Sequence, residues 1–339
     1  MKCLRDDLIL LIIFAVLALP MVFAHAPLGS SDNENLATAT VIPDPAKSWA
    51  IFTELHEDGE VQYYMFSIDE DERIYVSLLI SPASKDKGFT PVMAIIGPGI
   101  RSRGSIPNFV EVPEGSGVMV VEGDLPAQAS YEAFSPSSFY ELAQINLKAP
   151  EHGTYYVAVY ETSQGGNYGL AVGYVESFTL TEWILTPINL LSIYQWTGQS
   201  TTFVFAPMAI VLVVGLGLIV WNKKKIEVPT PLSDLLAVFA GLLFIGTGIT
   251  VLVQIVVALS RAPLGPGVSV SLIFAAIPAI LGVGTIKLAL RTDTANTRKR
   301  IYVLCIGLLA FFAWSGYLVG PSLAILSSVL GMISSARKK

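Results

Sequence analysis

The chain has 339 residues, 53% of them hydrophobic and only 14% charged, with a mean hydropathy of +0.59. Soluble domains carry about 25% charged residues, so this composition excludes a wholly water-soluble protein. Charge divides sharply along the chain: residues 25–200 hold 7 Lys and Arg against 22 Asp and Glu, whereas residues 201–339 hold 12 against 3. That split is the pattern of the positive-inside rule, and the acidity of the first part excludes nucleic acid as its partner.

Met1 to Ala24 reads as a signal peptide. Lys2 and Arg5 precede the apolar run Leu8 to Leu19, and Val22-Phe23-Ala24 places small residues at −3 and −1 of a cleavage site. An uncleaved signal anchor is the alternative. Cleavage would make His25 the mature N-terminus and remove Cys3. Cys305, the only other cysteine, falls in a membrane helix, so the exported part (25–175) has no disulfide.

From Trp49 to Tyr174, short runs rich in Val, Ile, Tyr and Phe alternate with turn residues. The expected strands are Trp49–Thr53, Val61–Ile68, Arg73–Ile80, Val92–Ile96, Gly117–Glu122, Phe139–Leu147, Thr154–Tyr160 and Asn167–Tyr174. Eight short strands without intervening helices imply an antiparallel β-sandwich or jelly roll. Alternation puts Tyr155, Val157 and Val159 on one side of their strand and Tyr156, Ala158 and Tyr160 on the other. Tyr63, Tyr64, Tyr155, Tyr156 and Tyr168 are assigned to the core, with an aromatic surface as the alternative.

Several of these stretches resemble a known family. Glu34-Asn35-Leu36-Ala37-Thr38-Ala39, Val61-Gln62-Tyr63-Tyr64-Met65-Phe66, Gly153-Thr154-Tyr155-Tyr156-Val157 and Asn167-Tyr168-Gly169-Leu170-Ala171-Val172 together resemble the bacterial pre-peptidase C-terminal domains. That likeness implies a β-sandwich, and fold alone does not fix a function.

Residues 176–200 form the connection to the membrane part. Phe178 to Trp196 is apolar, carries Trp183, Tyr194 and Trp196, and is interrupted by Pro187. Aromatics beside a span favour the headgroup region, so the reading is an interfacial helix broken at Pro187 that props the sandwich on the bilayer. A last buried strand plus a loop is the alternative.

Residues 201–336 read as an all-α membrane domain, giving an α+β chain whose two classes lie in separate domains. Expected spans are about 202–221, 232–258, 268–290 and 301–319. A fifth, weaker run at 322–336 is short for a span, yet Arg337-Lys338-Lys339 favours its return to the cytoplasm. Lys223-Lys224-Lys225 and Arg298-Lys299-Arg300 mark inner loops, which places residues 25–200 outside the cell membrane. No ionisable residue lies near the middle of a span, so a proton or ion pathway is not indicated. Gly241, Gly246, Gly248, Gly282 and Gly284 suit close helix contacts.

The chemistry-bearing residues are few. An N-terminal amine and the imidazole of His25 form a copper-binding bite, with His56 and His152 as candidates for a third nitrogen. His25-Ala26-Pro27-Leu28-Gly29-Ser30-Ser31 resembles the mature start of the periplasmic copper-carrier family. A calcium reading uses Asp32, Glu34, Asn35 and Asp58, because some relatives of the sandwich bind that ion through an acidic N-terminal linker and hard cations take oxygen ligands. There is no Gly-x-Ser-x-Gly elbow, no His-Glu-x-x-His and no exported cysteine nucleophile. The sequence therefore points to a non-catalytic, membrane-anchored binding or interaction module whose ligand is a protein, glycan or cation. Copper delivery, or service as an accessory subunit beside a membrane-protein partner, are the alternatives.

Overall fold

The computed structural model describes residues 25–30, 32–223, 231–291 and 297–336. The expected signal peptide and the basic stretches 224–225 and 337–339 lie outside the described residues. All eight expected strands are present. In chain order the strands are β1 (Ala26–Pro27), β2 (Thr40–Val41), β3 (Trp49–Leu55), β4 (Val61–Ile68), β5 (Arg73–Ile80), β6 (Val92–Gly97), β7 (Gly117–Val121), β8 (Ser130–Glu132), β9 (Ser137–Lys148), β10 (Gly153–Tyr160) and β11 (Gly166–Val172).

They form a six-stranded sheet ordered β1-β3-β11-β5-β9-β8 and a five-stranded sheet ordered β2-β4-β10-β6-β7. Two features differ from the expected all-antiparallel, helix-free sandwich. β1 and β2 pair in parallel with β3 and β4, which makes both sheets mixed. A short helix, α1 (Pro82–Asp86), capped by the Ser81 side chain, also follows β5. Two- and three-residue strands such as β1, β2 and β8 are too short to show alternation, which is why sequence pattern misses them. As edge strands, their shortness leaves little unpaired backbone to template aggregation.

Strand alternation builds the core. Tyr64, Phe66, Tyr155, Val157 and Val159 of one sheet meet Ile51, Val76, Leu78, Tyr168 and Leu170 of the other. The opposite face of the five-stranded sheet, with Tyr63, Ala158 and Tyr160, is covered by Leu36, Ile106, Val110 and Val112. Tyr63, Tyr64, Tyr155 and Tyr168 are therefore core residues, and Tyr156 is half-buried. The buried phenols are satisfied: Tyr168 donates to Gln62 Oε1 at 2.6 Å and shares a 2.6 Å hydrogen bond with Tyr64. Buried polar groups need such partners to avoid a desolvation cost of about 1–3 kcal/mol each.

Six helices follow: α2 (Leu180–Trp196), α3 (Thr201–Lys223), α4 (Leu232–Leu259), α5 (Gly267–Ala289), α6 (Thr297–Phe312) and α7 (Val319–Ala336). α2 runs unbroken through Pro187, contrary to the break expected there. It opens with a capping box, Thr179 and Glu182 each satisfying the other's backbone N–H. α3, α4, α5 and α7 are long and apolar enough to cross a membrane, and the chain is a polytopic membrane protein. Here the boundaries shift from those expected. The run Ile301 to Val319 is not one span, because helix ends at Phe312 and a turn containing Trp314, Gly316 and Tyr317 at φ 50°, 70° and 54° intervenes. The weak last run instead begins at Val319 and becomes a full-length candidate span.

Glycines set the tightest helix contact. A Cβ on Gly241 would meet Gly282 O at 2.8 Å, and one on Gly282 would meet Gly241 O at 2.5 Å, so α4 and α5 approach backbone to backbone. At the basic end of the bundle Asp234, at the start of α4, takes Lys299 Nζ at 3.1 Å and Arg300 of α6, and all three side chains are buried. Lys299 also donates to Ala289 O at 3.1 Å and Arg291 O at 3.2 Å, neutralising the carbonyl end of α5. Arg298-Lys299-Arg300 is therefore helical, and two of its three cations are buried rather than in a loop.

Candidate functional site

The α6–α7 turn does not reach the sandwich end of the bundle. Its Gly316 N–H donates to Thr247 Oγ1 at 2.8 Å, and Thr247 lies midway along α4. A helical pair that stops at this depth leaves a recess between α4, α5 and the turn. Elements of the sandwich side fill it. Phe134, from the β8–β9 hairpin, packs edge-on against Phe274 and Trp314 with ring centroids 5.1 Å apart in both cases. Ser271 of α5 donates to Ala133 O at 2.6 Å and accepts from the Tyr131 hydroxyl at 2.8 Å.

α2 lies between the two domains and is fixed to both. On the sandwich side Lys47 pairs with Glu182 at 2.8 Å, Trp196 Nε1 donates to Tyr168 O at 2.9 Å, and Asn167 Nδ2 donates to Trp196 O at 3.0 Å. On the bundle side the Trp183 and Trp314 rings are 4.7 Å apart. Gln199 and Gln254 exchange a reciprocal pair of 2.8 Å amide hydrogen bonds just beyond α2. Arg261, in the α4–α5 turn, grips Asp86 of α1 with two nitrogens at 3.0 and 2.6 Å. The sandwich is thus held in one orientation by apolar, neutral and charged contacts together.

Glu132 sits within this junction. Its carboxylate accepts the Phe134 N–H at 2.9 Å, and burial, with a smaller push from Glu176, raises its pKa to about 7. Sequence pattern gives no hint of this residue, since its environment comes from elements distant in the chain. A cavity of ≈ 30 Å³ remains beneath α2, lined by Leu190, Tyr194, Thr250, Phe274 and Tyr317 among others. Burial pushes the Tyr194 phenol well above its ordinary pKa of 10, with smaller contributions from the nearby Tyr317 and Tyr131 phenols.

A second concavity lies on the sandwich. This cleft of ≈ 330 Å³ is lined by Asp44, Ser67, Asp69, Glu72, Arg73 and Tyr174 among others. The Arg73 guanidinium is stacked between the Tyr75 and Tyr174 rings, 4.9 Å from each centroid, and its Nε donates to Asn146 at 3.0 Å. Held this way, Arg73 presents a fixed cation beside three exposed carboxylates.

The sequence-predicted metal ligands lie on separate elements. His25 precedes β1 and its Nδ1 hydrogen-bonds the Ser48 hydroxyl, while desolvation of the ring lowers its pKa. His56, in the β3–β4 hairpin, faces Glu60 at 3.3 Å and Glu54 at 3.6 Å. His152, before β10, pairs with Asp69 at 2.7 Å. Of the calcium candidates, Asn35 Oδ1 already accepts the N–H groups of Ala37 and Thr38 as a helix cap, Asp32 and Glu34 lie in the adjoining loop, and Asp58 lies in the β3–β4 hairpin. Among the described residues no group of three or more His, Cys, Asp or Glu side chains is arranged to hold a metal ion.

No protein-family model matches this chain, and no curated protein matches it in sequence.

Proposed function

We propose that the protein is a non-catalytic binding or interaction module, in which an acidic extracytoplasmic sandwich is presented by a membrane bundle whose basic end faces the cytoplasm. The observation that carries this reading is the junction. A domain joined by a loose tether needs no indole, amide and guanidinium contacts to a membrane platform, whereas a domain that must meet a ligand in fixed orientation does. The charge split between residues 25–200 and 201–339 supports the orientation. Two facing sheets are compatible with the resemblance to pre-peptidase C-terminal domains.

The 330 Å³ cleft supplies a surface for that ligand, with Asp44, Asp69 and Glu72 favouring a cationic or polyhydroxylated group. The test is affinity capture with the full chain in mild detergent, beside a variant carrying Asp69→Lys and Glu72→Lys. The reading expects a retained protein or glycan that the variant loses. Identical recovery by both forms, or protection of the sandwich from protease added to intact cells, would sink it.

An accessory-subunit role draws on one observation. Only 11% of the apolar window of α3 is buried, so most of that helix faces lipid or a neighbouring membrane protein. A stoichiometric membrane partner that survives the cleft variant would favour this role.

A further inference from the structure

Opposite charges line the sandwich cleft without touching. The Arg73 guanidinium is held on its faces by the Tyr75 and Tyr174 rings and at Nε by Asn146. Its two terminal nitrogens form no hydrogen bond or ion pair among the described residues, although Asp44, Asp69 and Glu72 line the same space. Each of those carboxylates uses one oxygen inside the protein. Asp44 Oδ1 accepts the N–H groups of Ala46 at 3.0 Å and Lys47 at 3.2 Å. Asp69 Oδ1 meets His152 Nδ1 at 2.7 Å, and Glu72 Oε2 accepts the Asp69 N–H at 3.4 Å. The second oxygen of each carboxylate remains for a ligand.

The walls are tied in place by backbone bonds. Ala46 O accepts the N–H groups of Tyr174 at 2.9 Å and Val175 at 2.8 Å, which joins the Asp44 loop to the aromatic wall. The β4–β5 turn is clamped to Ala149, whose carbonyl takes the Asp71 N–H at 2.9 Å and whose N–H donates to Glu72 O at 2.8 Å. Free surface ions close onto each other at little gain or cost. Here ring stacking and turn bonds hold the two signs apart, and a ligand carrying both signs is the complement of that gap.

We propose that the cleft binds an amino-carboxylate, with its carboxylate on the edge of Arg73 and a protonated amine among Asp44, Asp69 and Glu72. A guanidinium edge matches a carboxylate through two parallel N–H···O bonds. A purely cationic ligand would leave Arg73 opposing it, and a purely anionic one would face three carboxylates. Three carboxylates against one guanidinium favour a ligand of net positive charge, so a lysine-like group fits better than a glutamate-like one. At ≈ 330 Å³ the space suits one amino acid or the last residue of a peptide. The proposal rests on the reading of this cleft as a ligand surface and narrows its ligand class.

Calorimetric titration of the full chain in mild detergent tests it with three probes. They are lysine, cadaverine (lysine without its carboxylate) and Nα-acetyl-lysine, which keeps the carboxylate and masks the α-amine. Lysine is expected to bind at least about tenfold more tightly than cadaverine. Arg73→Gln should erase that ratio and keep cadaverine binding, whereas Asp69→Asn with Glu72→Gln should weaken both ligands. Nα-acetyl-lysine binding as well as lysine assigns the ligand to a peptide end, and weaker binding assigns it to a free amino acid. Equal affinity for lysine and cadaverine overturns the inference and leaves the broader cationic reading of the cleft standing. Binding of neither also overturns it, while a partner captured by the full chain and lost by the Asp69→Lys, Glu72→Lys form would still uphold the interaction module. Should Arg73→Gln fail to fold, the lysine-to-cadaverine ratio of the unsubstituted chain decides.

Discussion

The indole N–H of Trp314 donates at 2.8 Å to the carbonyl of Trp183, the very carbonyl that Pro187, four residues on, leaves without its helical partner. Proline has no N–H to return, so a helix that carries it inside loses one i to i−4 bond. α2 continues through Pro187, and a residue from the membrane domain fills the gap. Trp183 reciprocates, donating its own indole N–H at 3.1 Å to Phe312 O at the end of α6.

The first prediction follows from that pair. Trp314→Phe keeps an aromatic ring but leaves the half-buried Trp183 O without that donor, and should destabilise by about 1–3 kcal/mol. Pro187→Ala restores an N–H to the same carbonyl. In that background the cost of Trp314→Phe should shrink, giving a coupling of about 0.5–3 kcal/mol in a double-mutant cycle read by thermal unfolding. Strict additivity would show that the proline and the tryptophan are unrelated.

Glu132 predicts a pH dependence. Its pKa is raised from 4.5 to about 7 by burial, so between those values the folded chain holds a proton that the unfolded chain has released. Stability is therefore greatest below about pH 4.5, falls as pH rises to about 7, and is flat above. The loss is at most about 3 kcal/mol, and less to the extent that water reaches this half-buried group. Glu132→Gln should remove that slope while leaving the midpoint at pH 5 nearly unchanged. An unaltered slope in the variant would assign the dependence to other groups.

At the basic end, Asp234 is the carboxylate partner of both Lys299 and Arg300. Asp234→Asn leaves buried cations facing a neutral amide and should cost about 3–5 kcal/mol. Gly331→Ala should also destabilise, since a Cβ there would collide with the Arg300 side chain. Both effects are measured as loss of folded protein on heating in detergent. Wild-type behaviour of Asp234→Asn would mean the cluster adds nothing to the bundle.

The histidines predict an outcome for copper. Because His25, His56 and His152 each have a local partner on a separate element, any copper affinity of a chain processed at His25 should rest on that residue alone. His56→Ala and His152→Ala are expected to leave it unchanged in a titration, and His25→Ala to abolish it. Weakening by either of the first two substitutions would mean that the chain rearranges around the metal.

Much of this structure was legible in the amino-acid order, and the rest was not for identifiable reasons. Val61–Ile68 and Arg73–Ile80 were readable to the residue because alternation and turn residues agree there. The Gly241–Gly282 approach was likewise foreshadowed by small residues. The end of α6 was not legible, since Ser315-Gly316 is the sole turn signal between Ala313 and Leu318 and the turn also depends on left-handed Trp314 and Tyr317, which neither residue type advertises. Pro187 signalled a break, and only a tertiary contact from 131 positions away in sequence overrides it. The burial of Glu132 arises where hairpin, helix and turn meet, a place that no local window contains.

The way Phe134 seats between Phe274 and Trp314 also bears on how the protein can be handled. Cutting the gene after residue 175 would strip the sandwich of its companion surfaces and leave that phenylalanine, together with the Tyr131 hydroxyl, facing bulk solvent. Such a fragment should stick to itself, whereas the intact chain, extracted with its helices, keeps its underside covered.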